Sequence, residues 1–182
     1  MQKLIIKGKK KLFGSINISG SKNATLPILA ATLLTDKVII LKNIPLVQDV
    51  YTMINLLKFI GLNVEISKKK NTLKIFGNKK LKTVAPYNLL KTMRAGVLVL
   101  GPLLAKCKKA KISLPGGCAI GARPVNLHLF ALERLGAKIK IKDGYIHATA
   151  KDGLKGAIIK FPSVSVGATE SAILAAASAK GK

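Results

Sequence analysis

Acidic, aromatic and sulfur-containing side chains are scarce in this 182-residue sequence. It holds two cysteines, no tryptophan, 4% aromatic residues, and seven acidic residues against 32 basic ones. Cys107 and Cys118 form neither a disulfide framework nor a metal-ligand pattern, so we expect a reducing compartment. With so few aromatic rings the chain cannot build a platform on which nucleobases stack.

Long hydrophobic runs are missing as well. The longest apolar stretch, AGVLVLGPLLA at 95–105, is far shorter than the roughly 20 residues of a membrane-spanning helix. The N-terminus has an apolar run of only three residues, at 4–6, which does not make a signal peptide. Yet 49% of the residues are hydrophobic, enough for the core of one domain. We therefore expect a cytoplasmic protein with no membrane partner.

The formal net charge of +25 raises the question of a nucleic-acid partner. Arginine, the usual reader of bases, occurs only three times, and the lysines are spread over strand and turn positions. This pattern disfavours specific nucleic-acid binding, although the charge attracts anionic substrates in general. A non-catalytic basic module that binds anions or nucleic acid remains the alternative to an enzyme.

Helical and strand periodicities alternate along the chain and predict a mixed α/β fold. Two short strand pairs are predicted around polar turns, at 63–77 and at 137–150, the second around Asp143-Gly144. The predicted helices cover 23–34, 47–61, 86–105 and 125–136, the second of them ending at Gly61.

One part of the sequence repeats. LFGSINI followed by ATLPILAA, at the start, returns as LKGAIIK followed by ATESAILAA near the end. Such self-similarity indicates a supersecondary unit that is used more than once. We interpret the chain as two helix-and-strand-pair units and the start of a third, and expect it to be incomplete.

The stretch SLPGGCAIGARPVNLHL, residues 113–129, is too rich in glycine to be core, yet it holds Cys118 and Arg123. An arginine in such a loop can grip a phosphate or carboxylate with two hydrogen bonds. Nearby cations would tune the thiol as a proton donor or nucleophile. His128 could act as a base, although its helical position is expected to face the interior or solvent.

Two further cationic positions are candidates for binding an anion. Lys22 precedes Asn23 at the predicted start of the first helix, where free backbone N–H groups attract anions. A plain helix cap with Lys22 as a surface charge explains that stretch too. Arg94 lies in the predicted apolar helix 86–105, where a bound anion, a protein partner or snorkelling could each accommodate it.

Taken together, ISGSKNATLPIL, LLKTMRA, SLPGGCAIGARPVNLHL and FPSVSVGATE resemble the UDP-N-acetylglucosamine 1-carboxyvinyltransferases, a family of enolpyruvyl transferases. The resemblance runs in order over essentially the whole chain, and the cysteine-loop motif is its most specific part. It implies an inside-out α/β barrel of repeated helix-and-strand units. Residues 1–20 would then supply the first strand of a domain completed by a missing C-terminal half, and 21–182 most of the other domain, truncated.

The resemblance also implies the reaction and the site residues. The family transfers the enolpyruvyl group of phosphoenolpyruvate to the 3′-hydroxyl of UDP-N-acetylglucosamine, releasing phosphate, at the first committed step of peptidoglycan synthesis. It implies no cofactor and no metal. Cys118 matches the catalytic general acid, and Lys22, Asn23 and Arg123 match phosphoenolpyruvate-binding positions. The positions that match the UDP-sugar site are Asn23, Arg94, Arg123, Pro124, Val125, Asn126, Leu127, Ser163, Val164, Ser165, Val166 and Gly167.

Two features depart from the family. The family usually has aspartate at the position of Asn126, beside the uracil, so nucleotide affinity is expected to be modestly lower. Its aspartate base and a further phosphoenolpyruvate-binding arginine belong to the half that is absent here, so we expect no turnover by this chain alone. The shikimate-pathway enolpyruvyl transferases share the fold but lack the GGCAIGARP loop. The presence of this loop therefore favours resemblance to the UDP-N-acetylglucosamine enzymes over the shikimate-pathway enzymes.

Overall fold

The computed structural model describes residues 3–91, 93–115 and 125–181 and shows helices packed against two separate β-sheets. The first half supplies two helices, α1 (Lys22–Ala31) and α2 (Gln48–Ile60), and the three-stranded antiparallel sheet. Its strands are β1 (Ile39–Leu41), β2 (Asn63–Ser67) and β3 (Thr72–Phe76), with β3 in the centre.

The second half supplies the four-stranded sheet, in the order β4, β5, β7, β6. Its strands are β4 (Val84–Ala85), β5 (Lys109–Ser113), β6 (Lys138–Lys142) and β7 (Tyr145–Thr149), and only the β4–β5 pair is parallel. The helices of this half are α3 (Tyr87–Leu90), α4 (Leu100–Cys107), α5 (Asn126–Arg134) and α6 (Val166–Ala176).

Most of the predicted elements are confirmed, and their ends follow from local chemistry. Gly61 ends α2 with φ of +126°, a backbone conformation that favours glycine. Asp143 and Gly144 both have positive φ, as a two-residue hairpin turn between β6 and β7 requires. Alternating helices and strand pairs thus confirm the mixed α/β fold class, while the inside-out barrel stays a prediction.

The single helix predicted over 86–105 is wrong. The chain forms α3, then a 3-10 segment at Arg94–Val99, then α4, with Met93 in an extended conformation between the first two. A side chain at Gly96 would collide with Leu90, since an ideal Cβ there lies 2.6 Å from Leu90 Cδ2. The backbone therefore folds back on itself more tightly than a continuous helix allows.

The sequence repeat appears in the structure as a repeated helix start. Ser21 and Ser165 each precede a helix, and each hydroxyl accepts a hydrogen bond from the backbone N–H three residues on. The hydroxyl of Thr25 donates to the Ser21 carbonyl, and that of Thr169 donates to the Ser165 carbonyl. The two copies of the sequence repeat thus correspond to α1 and α6, which begin with the same cap.

The hydrophobic core lies between the helices and the inner faces of both sheets. In α4, the interior helix of the chain's second half, Leu100, Leu103 and Leu104 are buried, and the helix contacts β5, α6 and both 3-10 segments, Thr32–Leu34 and Arg94–Val99. Its Gly101 sits against α6: an ideal Cβ there would lie 3.1 Å from the Ser171 carbonyl oxygen. A side chain at position 101 would therefore push α4 and α6 apart.

Residues 3–20 form neither helix nor strand, and nearly all of their side chains are exposed, Leu12, Phe13 and Ile16 among them. The assignment of 1–20 to a second domain therefore stays a prediction, as does the boundary at residue 21. Across the described ranges, the helices are all too short or too polar to cross a lipid bilayer.

Candidate functional site

Lys22 is the first residue of α1 and is held there by the backbone before it. Gly20 lies directly against the carbonyl of Asn43, so any side chain at position 20 would collide with it. Ser21 caps the helix, which leaves Lys22 and Asn23 exposed on its first turn. The side chains of both residues thus stand beside free N–H groups at a helix N-terminus, a favourable place for an anion.

The ammonium of Lys22 is paired with the carboxylate of Asp49 in α2. The distance from Lys22 Nζ to Asp49 Oδ2 is 2.8 Å, and both side chains are more than a third exposed. Sequence analysis missed Asp49, because 27 positions separate it from Lys22. The available signal was the scarcity of acidic residues, with one of the seven in the first turn of a helix.

Arg94 begins the 3-10 segment Arg94–Val99 and is half-buried. Its positive charge acts on His128 in α5, whose pKa is lowered to about 4 by burial first and by Arg94 second. The imidazole is therefore neutral near pH 7. The arginine predicted to lie inside a continuous helix instead begins the 3-10 segment that interrupts it, and its charge acts on His128 of α5.

Asn126 and Leu127 open α5 immediately after the buried Val125. Valine offers no polar atom to cap the helix, and the first turn carries no carboxylate. Asn126, the first residue of this helix, has an exposed side chain. Two residues further on, His128 is buried against α6. This position agrees with the expectation that His128 faces the interior, and it does not support a role as a base.

The run Ser163–Gly167 leads into α6. Ser163 and Val164 are exposed, Ser165 caps the helix, and Val166 and Gly167 form its first turn. Gly167 lies against the ring of His128: an ideal Cβ on it would be 3.1 Å from Cε1 and 3.3 Å from Nε2.

The structure thus brings three of the predicted segments to one place through His128. Asn126 and Leu127 are its neighbours in α5, Gly167 touches its ring, and Arg94 lies close enough to lower its pKa. α1, which carries Lys22 and Asn23, packs against both α6 and the 3-10 segment Arg94–Val99. The remaining predicted residues, Cys118, Arg123 and Pro124, lie outside the described residues.

Two other side chains near these elements have shifted pKa values. Burial raises the pKa of the Cys107 thiol at the end of α4, partly offset by Lys106 and Lys109. Burial also raises the pKa of Glu170 in α6. A raised thiol pKa leaves less thiolate at neutral pH, so Cys107 is expected to react slowly with electrophiles.

Sequence comparison identifies the chain's relatives. A sequence model of the EPSP synthase (3-phosphoshikimate 1-carboxyvinyltransferase) family matches residues 6–182. The UDP-N-acetylglucosamine 1-carboxyvinyltransferase of Pelagibacter ubique (strain HTCC1062) is 63% identical over 182 residues, all of this chain and 43% of that protein. The protein of the same name from Endomicrobium trichonymphae is 53% identical over the same shares. The chain thus spans less than half the length of these curated relatives.

Solved structures with the same fold are more distant in sequence. The enolpyruvyl transferase NikO from Streptomyces tendae superposes with a TM-score of 0.77 at 17% identity, over 96% of this chain and 40% of that one. An EPSP synthase from Acinetobacter baumannii superposes with a TM-score of 0.74 at 20% identity, over 92% of this chain and 39% of that one. At these identities the likeness concerns the fold alone.

Proposed function

This chain belongs to the EPSP synthase (3-phosphoshikimate 1-carboxyvinyltransferase) family, and we propose that it is part of an enzyme that transfers an enolpyruvyl group to UDP-N-acetylglucosamine. The observation that carries the proposal is the 63% identity, over all 182 residues, to a UDP-N-acetylglucosamine 1-carboxyvinyltransferase. The same proposal assigns the chain to peptidoglycan synthesis in the cytoplasm, and so to cell-wall biogenesis, cell shape and cell division.

The proposed reaction is an addition followed by an elimination. A proton reaches C3 of phosphoenolpyruvate and turns its methylene into a methyl group, while the sugar 3′-oxygen bonds to C2 and gives up its own proton to a base. C3 then loses a proton, the C2–O bond to phosphate breaks, and the double bond returns. Cys118 is the proposed general acid for the first proton transfer.

Charge and helix geometry support the proposed substrates. Phosphoenolpyruvate is a compact anion, and Lys22 with Asn23 stands at the open N-terminus of α1. Arg123 is the proposed second cation for it. Arg94 acts on His128 by its charge, Asn126 and Leu127 precede His128 in α5, and Gly167 lies against the His128 ring. We assign Arg94, Asn126, Leu127 and Gly167 to the UDP-sugar, together with the rest of Ser163–Gly167, Asn23 and the run Arg123-Pro124-Val125.

Thiol labelling tests the proposal in the chain fused to the part of the Pelagibacter relative that it does not align with, because a further phosphoenolpyruvate-binding arginine is expected in that part. A phosphonate epoxide combines an anion with an electrophile for a thiolate, so we expect it to alkylate Cys118 faster when UDP-N-acetylglucosamine is present. Cys107 is the internal control, because burial raises its pKa and no predicted substrate contact involves it. Peptide mass spectrometry separates the two sites. Labelling of both thiols at rates that the UDP-sugar does not change would contradict the proposal and favour a basic binding module.

Phosphate release tests the chemistry separately. The chain fused to the part of the Pelagibacter relative that it does not align with is expected to release phosphate from phosphoenolpyruvate only when UDP-N-acetylglucosamine is added. A Cys118→Ala change in this fusion should abolish most of that release. Undiminished product formation by the alanine variant would rule out the proton-donor role of the thiol.

A further inference from the structure

His128 and Ser171 form a buried pair that joins α5 to α6. Among the described residues, five polar side chains are buried: Thr25, Thr32, Ser113, His128 and Ser171. The first three donate to backbone carbonyls no more than four positions away. The other two share a hydrogen bond of 2.8 Å between Nδ1 and Oγ across 43 positions. Unlike the three local hydrogen bonds, this one fixes the position of α5 relative to α6.

Gly167 shows how closely the ring is seated. Its backbone φ is not in the positive range that favours glycine. Glycine is therefore needed at this position for the space it leaves to the His128 ring, and not for an unusual backbone conformation. The atoms that a Cβ would meet are Cε1, the ring carbon bonded to Nδ1, and Nε2 beyond it. The imidazole is thus held at Nδ1 by a hydrogen bond, and its adjacent Cε1–Nε2 edge lies against the first turn of α6.

Ser171 is itself fixed from the opposite side. Gly101 of α4 lies against the carbonyl of Ser171 and the backbone of Ala175, with an ideal Cβ at 3.1 Å and 3.2 Å. The chain of contacts therefore runs from the interior helix α4 through Ser171 to His128. It ends at the first turns of α5 and α6, where Asn126 and Gly167 lie.

We infer that His128 is a positioning residue of the UDP-sugar site: bonded to Ser171 and seated against Gly167, its ring sets the spacing between the first turns of α5 and α6. The inference rests on the proposed function in that Asn126-Leu127 and Ser163–Gly167 are taken as UDP-sugar segments. Nothing in this role requires His128 to touch the substrate or to exchange a proton with it.

The substitution His128→Asn keeps a hydrogen bond to Ser171 and removes the ring atoms that lie against Gly167. The asparagine amide places Oδ1 or Nδ2 where Nδ1 stood, so a hydrogen bond with the Ser171 hydroxyl can be kept in either direction, while the amide lacks counterparts of Cε1 and Nε2. Those are the two atoms that a methyl group at Gly167 would meet. Gly167→Ala alone is therefore expected to displace the ring, and Gly167→Ala with His128→Asn to restore the spacing.

The experiment measures UDP-N-acetylglucosamine affinity by calorimetry and the amide resonances of Asn126, Leu127, Val166 and Gly167 by NMR. Ser171→Ala and Gly167→Ala should each weaken binding by about tenfold and shift resonances in both helices. The double variant should recover most of the affinity lost in Gly167→Ala. Thr32→Val, which removes another buried hydroxyl that bonds only locally, is the matched control and should change neither readout.

Two results would overturn the inference. One is that Ser171→Ala leaves affinity and the α5 resonances as unchanged as Thr32→Val does. The other is that the double variant binds no better than Gly167→Ala alone, as a purely steric defect of α6 would predict. If the unmodified chain fails to bind the UDP-sugar, the proposed function is contradicted. The resonance shifts then decide the positioning role alone, supporting it if Ser171→Ala moves the Asn126 and Leu127 amides.

Discussion

Lys22 and Asp49 join the N-terminal ends of two helices by an ion pair, with 2.8 Å between Nζ and Oδ2. The lysine is the first residue of α1, and the aspartate lies in the first turn of α2. There the negative charge of the aspartate also interacts favourably with the positive end of the helix dipole. The ammonium proposed to hold phosphoenolpyruvate is therefore already engaged by a carboxylate, with which an anionic substrate has to compete.

Asp49→Asn is expected to strengthen phosphoenolpyruvate binding by a few-fold, because the ammonium of Lys22 loses its competing anion. The cost in the free energy of unfolding should be no more than about 1 kcal/mol, since both side chains are largely exposed. Calorimetric titration at low salt measures the first effect, and urea unfolding the second. The control Glu133→Gln removes one negative charge elsewhere. A gain that persists in Lys22→Met with Asp49→Asn would show that Lys22 is not the group involved.

Several elements could be predicted from sequence because short-range chemistry decides them. The end of α2 at Gly61 and the turn at Asp143-Gly144 depend on residues that tolerate positive φ. The caps at Ser21 and Ser165 depend on a hydroxyl placed three residues before the N–H that it accepts from. In each case the deciding partner lies within a few residues of the signal.

Other features depend on contacts between distant parts of the chain. Periodicity predicted one helix over 86–105, but the chain forms a 3-10 segment at Arg94–Val99. There an ideal Cβ on Gly96 would meet Leu56 of α2 as well as Leu90, and apolar spacing carries no sign of the contact with α2. Arg94 was a candidate from its apolar surroundings, whereas its proximity to His128 required the packing of α5 and α6. The sequence therefore allowed individual site residues to be predicted, but not their positions relative to one another.

Lys106 is expected to matter more for stability than Lys22. Its ammonium, with only 16% of the side chain exposed, donates to Asp36 Oδ1 at 2.6 Å and to the Asn78 carbonyl at 3.0 Å. Lys106→Met should reduce the free energy of unfolding by about 2 kcal/mol, because hydrogen bonds to charged groups are lost. Lys22→Met, which breaks an exposed pair, is the matched control and should cost less than about 1 kcal/mol. Equal losses in urea unfolding would contradict the difference in burial.

Stability should fall in mild acid because of His128. Its pKa in the folded chain is about 4, against an ordinary value of 6.5, so between these values the unfolded chain binds more protons. The free energy of unfolding therefore rises with pH in that window, and the contribution of His128 should be about 2 kcal/mol smaller at pH 4.5 than at pH 7.

The comparison of the unmodified chain with His128→Asn isolates this contribution. Glu170 in α6 has a raised pKa and so acts in the opposite sense, with stability falling as pH rises above its ordinary value. Because Glu170 is common to both proteins, its effect cancels in the difference between their urea-unfolding curves. Parallel pH dependences for the two proteins would show that the imidazole does not carry the effect.

Asn126→Asp is expected to improve both stability and nucleotide affinity. The residue opens α5, whose first turn has no carboxylate, so a negative charge there should add about 0.3–1 kcal/mol through the helix dipole. If Asn126 accepts from the uracil N–H, as proposed, a charged acceptor should tighten UDP-N-acetylglucosamine binding by a few-fold. Asn126→Ala, which removes the acceptor altogether, should weaken binding instead. Calorimetry of the three proteins decides the matter, because equal affinities would mean that position 126 does not contact the base.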